Sequence, residues 1–184
     1  MIYRLIFTTA ISICFSINSL AQSDNLKIDI DKNGITDLFS YDKTFIKVVL
    51  NGKKIQQKIE KFGYENITDF KVENGVFTFA VNCGMCTGQY TYTYKLKVVN
   101  GNLKFIGYDL EYKYAGSSPG YVNKSFNLTT RKYIVTVQEF DITNDKEKER
   151  KEQGTFKLSN ILFNTYSESS FNSLEIFGSS IEPE

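Results

Sequence analysis

The sequence contains no histidine and no tryptophan, and its 184 residues include only two prolines and three cysteines. Without histidine the chain cannot form a Ser-His-Asp triad, a histidine general base or a histidine-ligated metal site. Its 22 basic and 21 acidic side chains nearly cancel, so no net charge would steer it onto nucleic acid. Aromatic residues are plentiful, with 15 phenylalanines and 12 tyrosines.

Residues 1–21 have the pattern of a secretory signal peptide. Arg4 precedes an apolar run over residues 5–17, and Ser19 and Ala21 supply small side chains before the cleavage point. The run is too short, and too often interrupted by polar residues, to predict a membrane-spanning helix. We therefore expect a periplasmic or secreted protein, cleaved after Ala21, that is not inserted in the membrane once this segment is removed.

Cleavage would leave Cys83 and Cys86, in the sequence Cys-Gly-Met-Cys. In an oxidising compartment this pair predicts a disulfide that pins the loop between two strands. A redox site needs the first cysteine at a helix N-terminus, but a strand pattern follows here, and a zinc site needs four ligands. A lipoprotein would acylate Cys14, which the bulky Ile13 before it disfavours.

Apolar and polar residues alternate with a period of two, the pattern of strands with one buried face. The clearest run has tyrosine or aliphatic residues on one face, at Tyr90, Tyr92, Tyr94, Leu96 and Val98. A second run repeats the pattern at Tyr108, Leu110, Tyr112 and Tyr114. Core packing explains these tyrosine-rich faces best, and a binding platform for a sugar or peptide is the alternative, since tyrosine combines an apolar ring with a polar tip.

Three Asn-Gly pairs separate the strand-like segments. Asparagine and glycine tolerate the positive φ that both central positions of a two-residue hairpin loop require. The pairs are Asn51-Gly52, Asn74-Gly75 and Asn100-Gly101. They predict hairpins over about 45–59, 69–81 and 90–108.

The pattern as a whole predicts an all-β fold in a single domain. We expect antiparallel meander strands over residues 22–166, in a twisted sheet that forms a sandwich or half-barrel. Residues 145–153 are charged throughout and have no apolar stripe, which predicts an exposed loop or short solvated helix. The Ser/Glu-rich tail, residues 167–184, is expected to fray unless Leu174, Ile176 and Phe177 dock it.

An aspartate-rich segment predicts a metal-binding loop. Its oxygen ligands would be Asp29, Asp31, Asn33, the Ile35 carbonyl and Asp37, a spacing that wraps a chain around Ca²⁺, with glycine permitting the tight reversal. An EF-hand would also need a glutamate at its twelfth position, which is a serine here. We expect weak binding, with a Kd of roughly millimolar order. The alternative is a turn that uses aspartate and asparagine without a metal.

Several motifs together resemble a known group of proteins. They are Asn74-Gly75-Val76-Phe77, Tyr92-Thr93-Tyr94-Lys95-Leu96, Ile106-Gly107-Tyr108-Asp109, Phe126-Asn127-Leu128-Thr129 and Phe156-Lys157-Leu158. This pattern resembles small exported β-rich proteins of Gram-negative bacteria, especially Bacteroidetes, and the aspartate loop resembles that of FG-GAP and VCBS repeats. The group has no established activity, so the resemblance implies no catalytic residue. Cys83, Cys86 and Asn33 depart from its pattern.

These observations favour a non-catalytic exported or periplasmic binding protein with one structural Ca²⁺, whose ligand is a protein or a carbohydrate. A periplasmic inhibitor or immunity protein that neutralises a toxin or hydrolase is the first alternative. It is suggested by a small, disulfide-pinned scaffold with charged loops at 141–153. A thiol-disulfide oxidoreductase using Cys83 and Cys86 is the second alternative, which the strand context disfavours.

Overall fold

The computed structural model describes residues 25–62, 66–82, 89–114, 119–141 and 146–182, which form eleven strands and four short helical turns. The first sheet contains β1 (Asn25–Ile28), β2 (Asp37–Tyr41), β3 (Phe45–Leu50) and β4 (Lys53–Lys58). The second contains β5 (Asn66–Glu73), β6 (Val76–Asn82), β7 (Gln89–Val99), β8 (Asn102–Tyr114), β9 (Gly120–Asn127), β10 (Lys132–Asp141) and β11 (Lys146–Thr155). The helical turns are Ile59–Phe62, Phe163–Thr165 and Glu168–Ser170, all 3-10, and α1 (Asn172–Glu175).

Both sheets are antiparallel meanders. Strands follow one another in space in the order in which they occur in the sequence, so each sheet is built from consecutive hairpins. The larger sheet has β5 and β11 at its edges. The predicted all-β antiparallel fold is therefore confirmed. Among the described residues, no helix has the length and apolar character needed to cross a membrane.

The three predicted hairpins are present, and their turns have the predicted conformation. Asn51, Asn74 and Asn100 have φ values of 51°, 52° and 51°. The glycine after each of them also has a positive φ, between 70° and 77°. Two consecutive positive φ values match the right-handed twist of the flanking strands, which is why Asn-Gly fixes the register of these hairpins.

The two sheets share one hydrophobic core. Phe39 of β2 lies against Phe77 of β6 with their ring centroids 4.6 Å apart. Tyr41 of β2 packs on Phe70 of β5 at 4.8 Å. Every second side chain of β3 points into the same core: Ile46, Val48 and Leu50. The smaller sheet therefore covers the β5–β6 side of the larger one, in a sandwich-like arrangement.

The segment after β11 covers the rest of that inner face. Phe171 stacks on Tyr108 of β8 with ring centroids 4.6 Å apart, and Leu174 of α1 is 0% exposed. Phe177 packs against Tyr133 of β10 at 4.5 Å. The expected fraying of the tail is wrong for its described part, because Leu174 and Phe177 dock as the alternative allowed. Ile176, named with them, is 68% exposed.

The prediction of a loop or solvated helix over residues 145–153 is wrong for the described residues of that range, which begin at Lys146. Residues 146–155 form β11, which pairs with the whole length of β10. The absence of an apolar stripe excludes a docked helix, but an edge strand needs no apolar side chain to hold its backbone ladder. Charged side chains are common on edge strands because they discourage pairing with a further chain. Arg150 of β11 forms an ion pair with Glu139 of β10.

Candidate functional site

The aspartate loop joins β1 to β2 and brings three carboxylates together. One oxygen each from Asp29, Asp31 and Asp37 lies within 4.8 Å of the other two. Asp37 begins β2 and is 0% exposed, whereas the other two are partly exposed. The three aspartates among the predicted ligands therefore converge, as the spacing predicts.

The loop is shaped by its own side chains. The Asp29 carboxylate accepts hydrogen bonds from the backbone N–H groups of Asn33, at 3.0 Å, and Gly34, at 2.7 Å. The side-chain oxygen of Asn33 accepts the N–H of Ile35 at 2.7 Å. Lys32 and Gly34 have positive φ, which reverses the chain between the aspartates. These bonds explain how the loop keeps its shape. They also show that the side-chain oxygen of Asn33, a predicted metal ligand, already accepts a backbone hydrogen bond.

Asp37 connects the loop to the β3–β4 turn. Its carboxylate accepts the backbone N–H groups of Ile30, at 3.2 Å, and Asn51, at 2.9 Å. The Asn51 side-chain amide in turn donates to Asp31 at 3.2 Å and contacts Asn33. Asn51 is thus both a hairpin residue and a partner of the aspartate loop, a second role that its sequence context did not reveal.

The donor set fits a hard divalent cation. All three converging groups are carboxylates, the oxygen ligands that Ca²⁺ and Mg²⁺ prefer. Within the described part of the chain, Oδ1 of Asp31 has no hydrogen-bond partner although it is shielded from solvent. A bound cation would satisfy this oxygen and reduce the repulsion among three close negative charges. Ile35 is exposed at the loop surface, and its carbonyl remains only a predicted ligand.

A second feature is a cavity of about 530 Å³ on the inner face of β7 and β8. We call it the tyrosine cavity, and its lining comprises Lys61, Phe62, Tyr92, Tyr94, Tyr108, Tyr166, Ser167, Ser169, Phe171, Asn172 and Glu175. The volume lies within the roughly 300–1,000 Å³ of pockets that hold small ligands. The tyrosine-rich face of β7 and β8 is therefore partly core and partly the floor of a cavity.

The buried tyrosines form the base of this cavity. Tyr94 is 2% exposed, and its hydroxyl lies 3.5 Å from that of Tyr166. Burial raises the pKa of Tyr94 well above its ordinary value, so this hydroxyl keeps its proton. Tyr166 stacks on Phe62 with ring centroids 4.5 Å apart, and Tyr92 is only partly buried. The base thus presents phenol groups in a rigid aromatic cluster.

Polar side chains surround the opening. Ser167, Ser169 and Asn172 come from the segment after β11 and are exposed. Lys61, from the helical turn after β4, is also in the lining, and its ammonium group donates to the Gln57 side chain at 3.1 Å. Gln57 is itself buried and donates to the backbone carbonyl of Phe163 at 2.7 Å. The opening is therefore held by contacts between segments about one hundred residues apart.

The wall formed by residues 166–175 is anchored from behind by a buried lysine. Lys124 of β9 is 3% exposed, donates to the Glu175 carbonyl at 2.7 Å and lies 2.5 Å from the Glu182 carboxylate. The hydroxyl of Tyr112 also donates to Glu182. A buried charge is tolerated only when it is paired and hydrogen-bonded, which is the case here.

Glu152 of β11 provides a second anchor. It accepts hydrogen bonds from the hydroxyls of Tyr133, at 2.8 Å, and Ser180, at 2.9 Å, and from the N–H of Gly178 at 3.3 Å. These donors lower the pKa of the Glu152 carboxyl, with the Tyr133 bond as the largest cause. The sequence gives no sign of this role, because Glu152 lies in a run of charged residues.

Two predictions concern residues outside the described part of the chain. Cys83 and Cys86 fall between β6 and β7 in the undescribed range 83–88, so their disulfide stays a prediction. The signal peptide, residues 1–21, lies outside the described residues as well.

The chain was also compared with known proteins. No family model matches it, and neither a curated protein nor a solved structure gives a match. The resemblance to exported β-rich proteins therefore stays a prediction, and the chemistry of the two sites has to be argued from their own residues.

Proposed function

We propose that this protein is a non-catalytic, exported binding protein that takes a small ligand in the tyrosine cavity. We further propose that the aspartate loop holds a structural Ca²⁺. The observation that carries the binding function is the cavity itself, with its volume of about 530 Å³, its tyrosine base and its polar rim. Concave sites with an aromatic lining and a few convergent polar groups are the usual form of small-molecule sites.

The composition of the lining favours binding over catalysis. Glu175 is the one carboxyl and Lys61 the one amine among the described lining residues. Glycoside hydrolysis ordinarily uses two carboxyl groups, and an activated serine needs an adjacent base. The two serines lie at the exposed rim, and the chain contains no histidine to activate them.

The proposed Ca²⁺ has a structural role. The three carboxylates lie near the start of the described chain, in a loop that Asn51 connects to the β3–β4 turn. The cavity wall, by contrast, is formed by residues 166–175 near its end. A cation there would fix the β1–β2 hairpin against β3, at the start of the smaller sheet. We assign it no part in ligand chemistry.

One sequence feature that suggested an inhibitor or immunity protein, the charged loop, is absent from the described part of residues 141–153. The charged segment at 141–153 was expected to be a loop available to a partner, but residues 146–155 form β11 and are paired along their length with β10. The oxidoreductase alternative depends on Cys83 and Cys86, which lie outside the described residues. Neither alternative has a described contact in its favour.

The binding function is tested with a panel of neutral saccharides and short peptides, using the shift in melting temperature on addition of each ligand. A ligand of the cavity stabilises the native protein in proportion to its occupancy. We expect the stabilisation to fall in Tyr92→Ala and in Asn172→Ala, and to persist in Tyr121→Ala, whose side chain lies on the outer face of β9. A shift that survives both cavity variants would place binding elsewhere and refute the proposal.

A further inference from the structure

We propose that the ligand of the tyrosine cavity is a short neutral saccharide, an inference that rests on the proposed binding function. A saccharide carries apolar C–H faces and many hydroxyl groups in one small molecule. The cavity offers matching chemistry, with aromatic groups at its base and hydroxyl, amide and carboxyl groups at its rim.

The base of the cavity suits the apolar face of a sugar ring. Tyr92 is the most accessible of the four tyrosines in the lining, and its ring lies 6.2 Å from that of Tyr108. Tyr108 is held in place by Phe171, whose ring stacks on it at 4.6 Å. Tyrosine pairs a flat apolar ring with a hydroxyl at its edge, so it can contact C–H groups and sugar hydroxyls together. Because this base is already packed, it loses little side-chain entropy when a ligand binds.

The rim supplies directional hydrogen bonds. Asn172 offers both a donor and an acceptor, and Ser167 and Ser169 each offer a hydroxyl. The backbone carbonyl of Glu175 is taken by Lys124, but its carboxyl lies at the cavity, where partial desolvation raises its pKa. Mixed donors and acceptors of this kind match hydroxyl groups, which both donate and accept.

A peptide fits this location poorly. Extended peptides are usually bound by adding a strand to an exposed sheet edge, where free backbone groups give affinity. The floor of the cavity lies on β7 and β8. β7 is paired with β6 and β8, and β8 is paired with β7 and β9, so neither strand has a free edge. A peptide in the cavity would therefore find no backbone ladder.

An anionic ligand is also disfavoured. Lys61 is the one cation in the described lining, it already donates to Gln57, and Glu175 opposes its charge. Phosphate and sulfate groups are generally held by several cationic or backbone donors. The near balance of charge around the cavity points to an uncharged ligand.

The closing experiment uses the folded protein and a fixed set of probes. Isothermal titration calorimetry would be run with neutral trisaccharides of glucose and of N-acetylglucosamine, in both α- and β-1,4-linked forms where these exist. A tripeptide of serine and tyrosine and a sulfated trisaccharide serve as competing classes. We expect a neutral saccharide to bind, and Asn172→Ala to weaken it by about fivefold, the loss of one or two net hydrogen bonds.

The outcomes separate this inference from the proposed function. If the tripeptide or the sulfated sugar binds, and Asn172→Ala weakens it, the cavity is a binding site but the saccharide assignment is wrong. If no probe binds at millimolar concentration to protein with an intact β spectrum, both are rejected. Tyr121→Ala is the matched control, and the saccharide should bind to it as it binds to the unmodified protein. If Tyr121→Ala weakens saccharide binding more than Asn172→Ala does, the inference is also overturned.

Discussion

The Lys124 ammonium group lies 2.5 Å from the Glu182 carboxylate, and this pair joins β9 to the last described residues of the chain. The lysine side chain is 4% exposed and the glutamate side chain 20% exposed, so the pair is largely removed from water. It lies behind the wall of the tyrosine cavity, since the same ammonium group donates to the Glu175 carbonyl.

Removal of one partner of this pair should destabilise the protein strongly. Glu182→Gln leaves the buried Lys124 charge beside neutral acceptors with no opposing charge, and removing one partner of a buried ion pair costs up to about 3–5 kcal/mol. We expect a smaller loss in the double variant Lys124→Met/Glu182→Gln, because no buried charge is left unpaired. Urea unfolding of both variants measures the difference, with Lys97→Met on the exposed face as control. Equal losses in the single and double variants would show that charge pairing is unimportant here.

Calcium should stabilise the protein through the aspartate loop. Calcium at about ten times its Kd is expected to add about 1.4 kcal/mol to the free energy of unfolding. Asp31→Ala should abolish the effect, and Asp31 is preferable to Asp37 for this test because Asp37 also holds two backbone N–H groups. Asp69→Ala, which removes an exposed carboxylate of β5, is the control. Thermal unfolding with and without Ca²⁺ measures this stabilisation. If Ca²⁺ stabilises Asp31→Ala as much as the unmodified protein, the proposed site is refuted.

The Asp42 carboxyl should titrate at unusually low pH. Its pKa is lowered to about 2 by its hydrogen bond with Lys47 and, next, by those with the N–H groups of Thr44 and Phe45. A lowered folded-state pKa means that the charged form stabilises the native state above the ordinary pKa of about 4, and that this contribution fades as the pH falls toward 2. Carbon-detected NMR titration measures the midpoint directly. In Lys47→Met we expect it to move up toward the ordinary value, whereas Lys54→Met should leave it unchanged.

The Asn100-Gly101 turn should depend on the backbone freedom of its glycine. Gly101 has a φ of 70° and nothing within 4 Å of the position that a Cβ would take. Any loss in Gly101→Ala is therefore conformational, and we expect about 1–2 kcal/mol. Gly101→Asn should lose less, because asparagine tolerates positive φ better than alanine does. Denaturant unfolding compares the two, and equal losses would argue against backbone strain as the cause.

The parts of the fold that could be predicted from the sequence are those determined by neighbours in the chain. Asn51-Gly52 and Asn100-Gly101 specify their turns through two adjacent residues. The aspartate loop is similarly local, so the short spacing of Asp29, Asp31 and Asp37 along the chain is enough to bring their carboxylates close together. Hydrophobic alternation adds the strand faces, because it depends only on the period of the backbone.

The parts that could not be predicted depend on contacts between distant segments. Lys124 shares the inward parity of Val122 and Phe126, yet its charge predicts an outward position until its contact with Glu182 is known. The tyrosine cavity combines Lys61 and Asn172 with the strands between them, so no local pattern encodes it. The incorrect prediction of a loop or helix at β11 has the same cause, because this segment is a strand only through its pairing with β10.

The covering of the inner sheet face by residues 163–177 has a consequence for the order of folding. A chain leaves the ribosome from its N-terminus, so the eleven described strands emerge before Phe163, Phe171 and Leu174, whose side chains cover Tyr108 and its neighbours. Until then a row of aromatic rings on β7 and β8 lacks its partners, and the sheet cannot reach its final stability. Closure of the core is thus a late event in the synthesis of the chain, and it depends on residues that follow the last strand of the larger sheet.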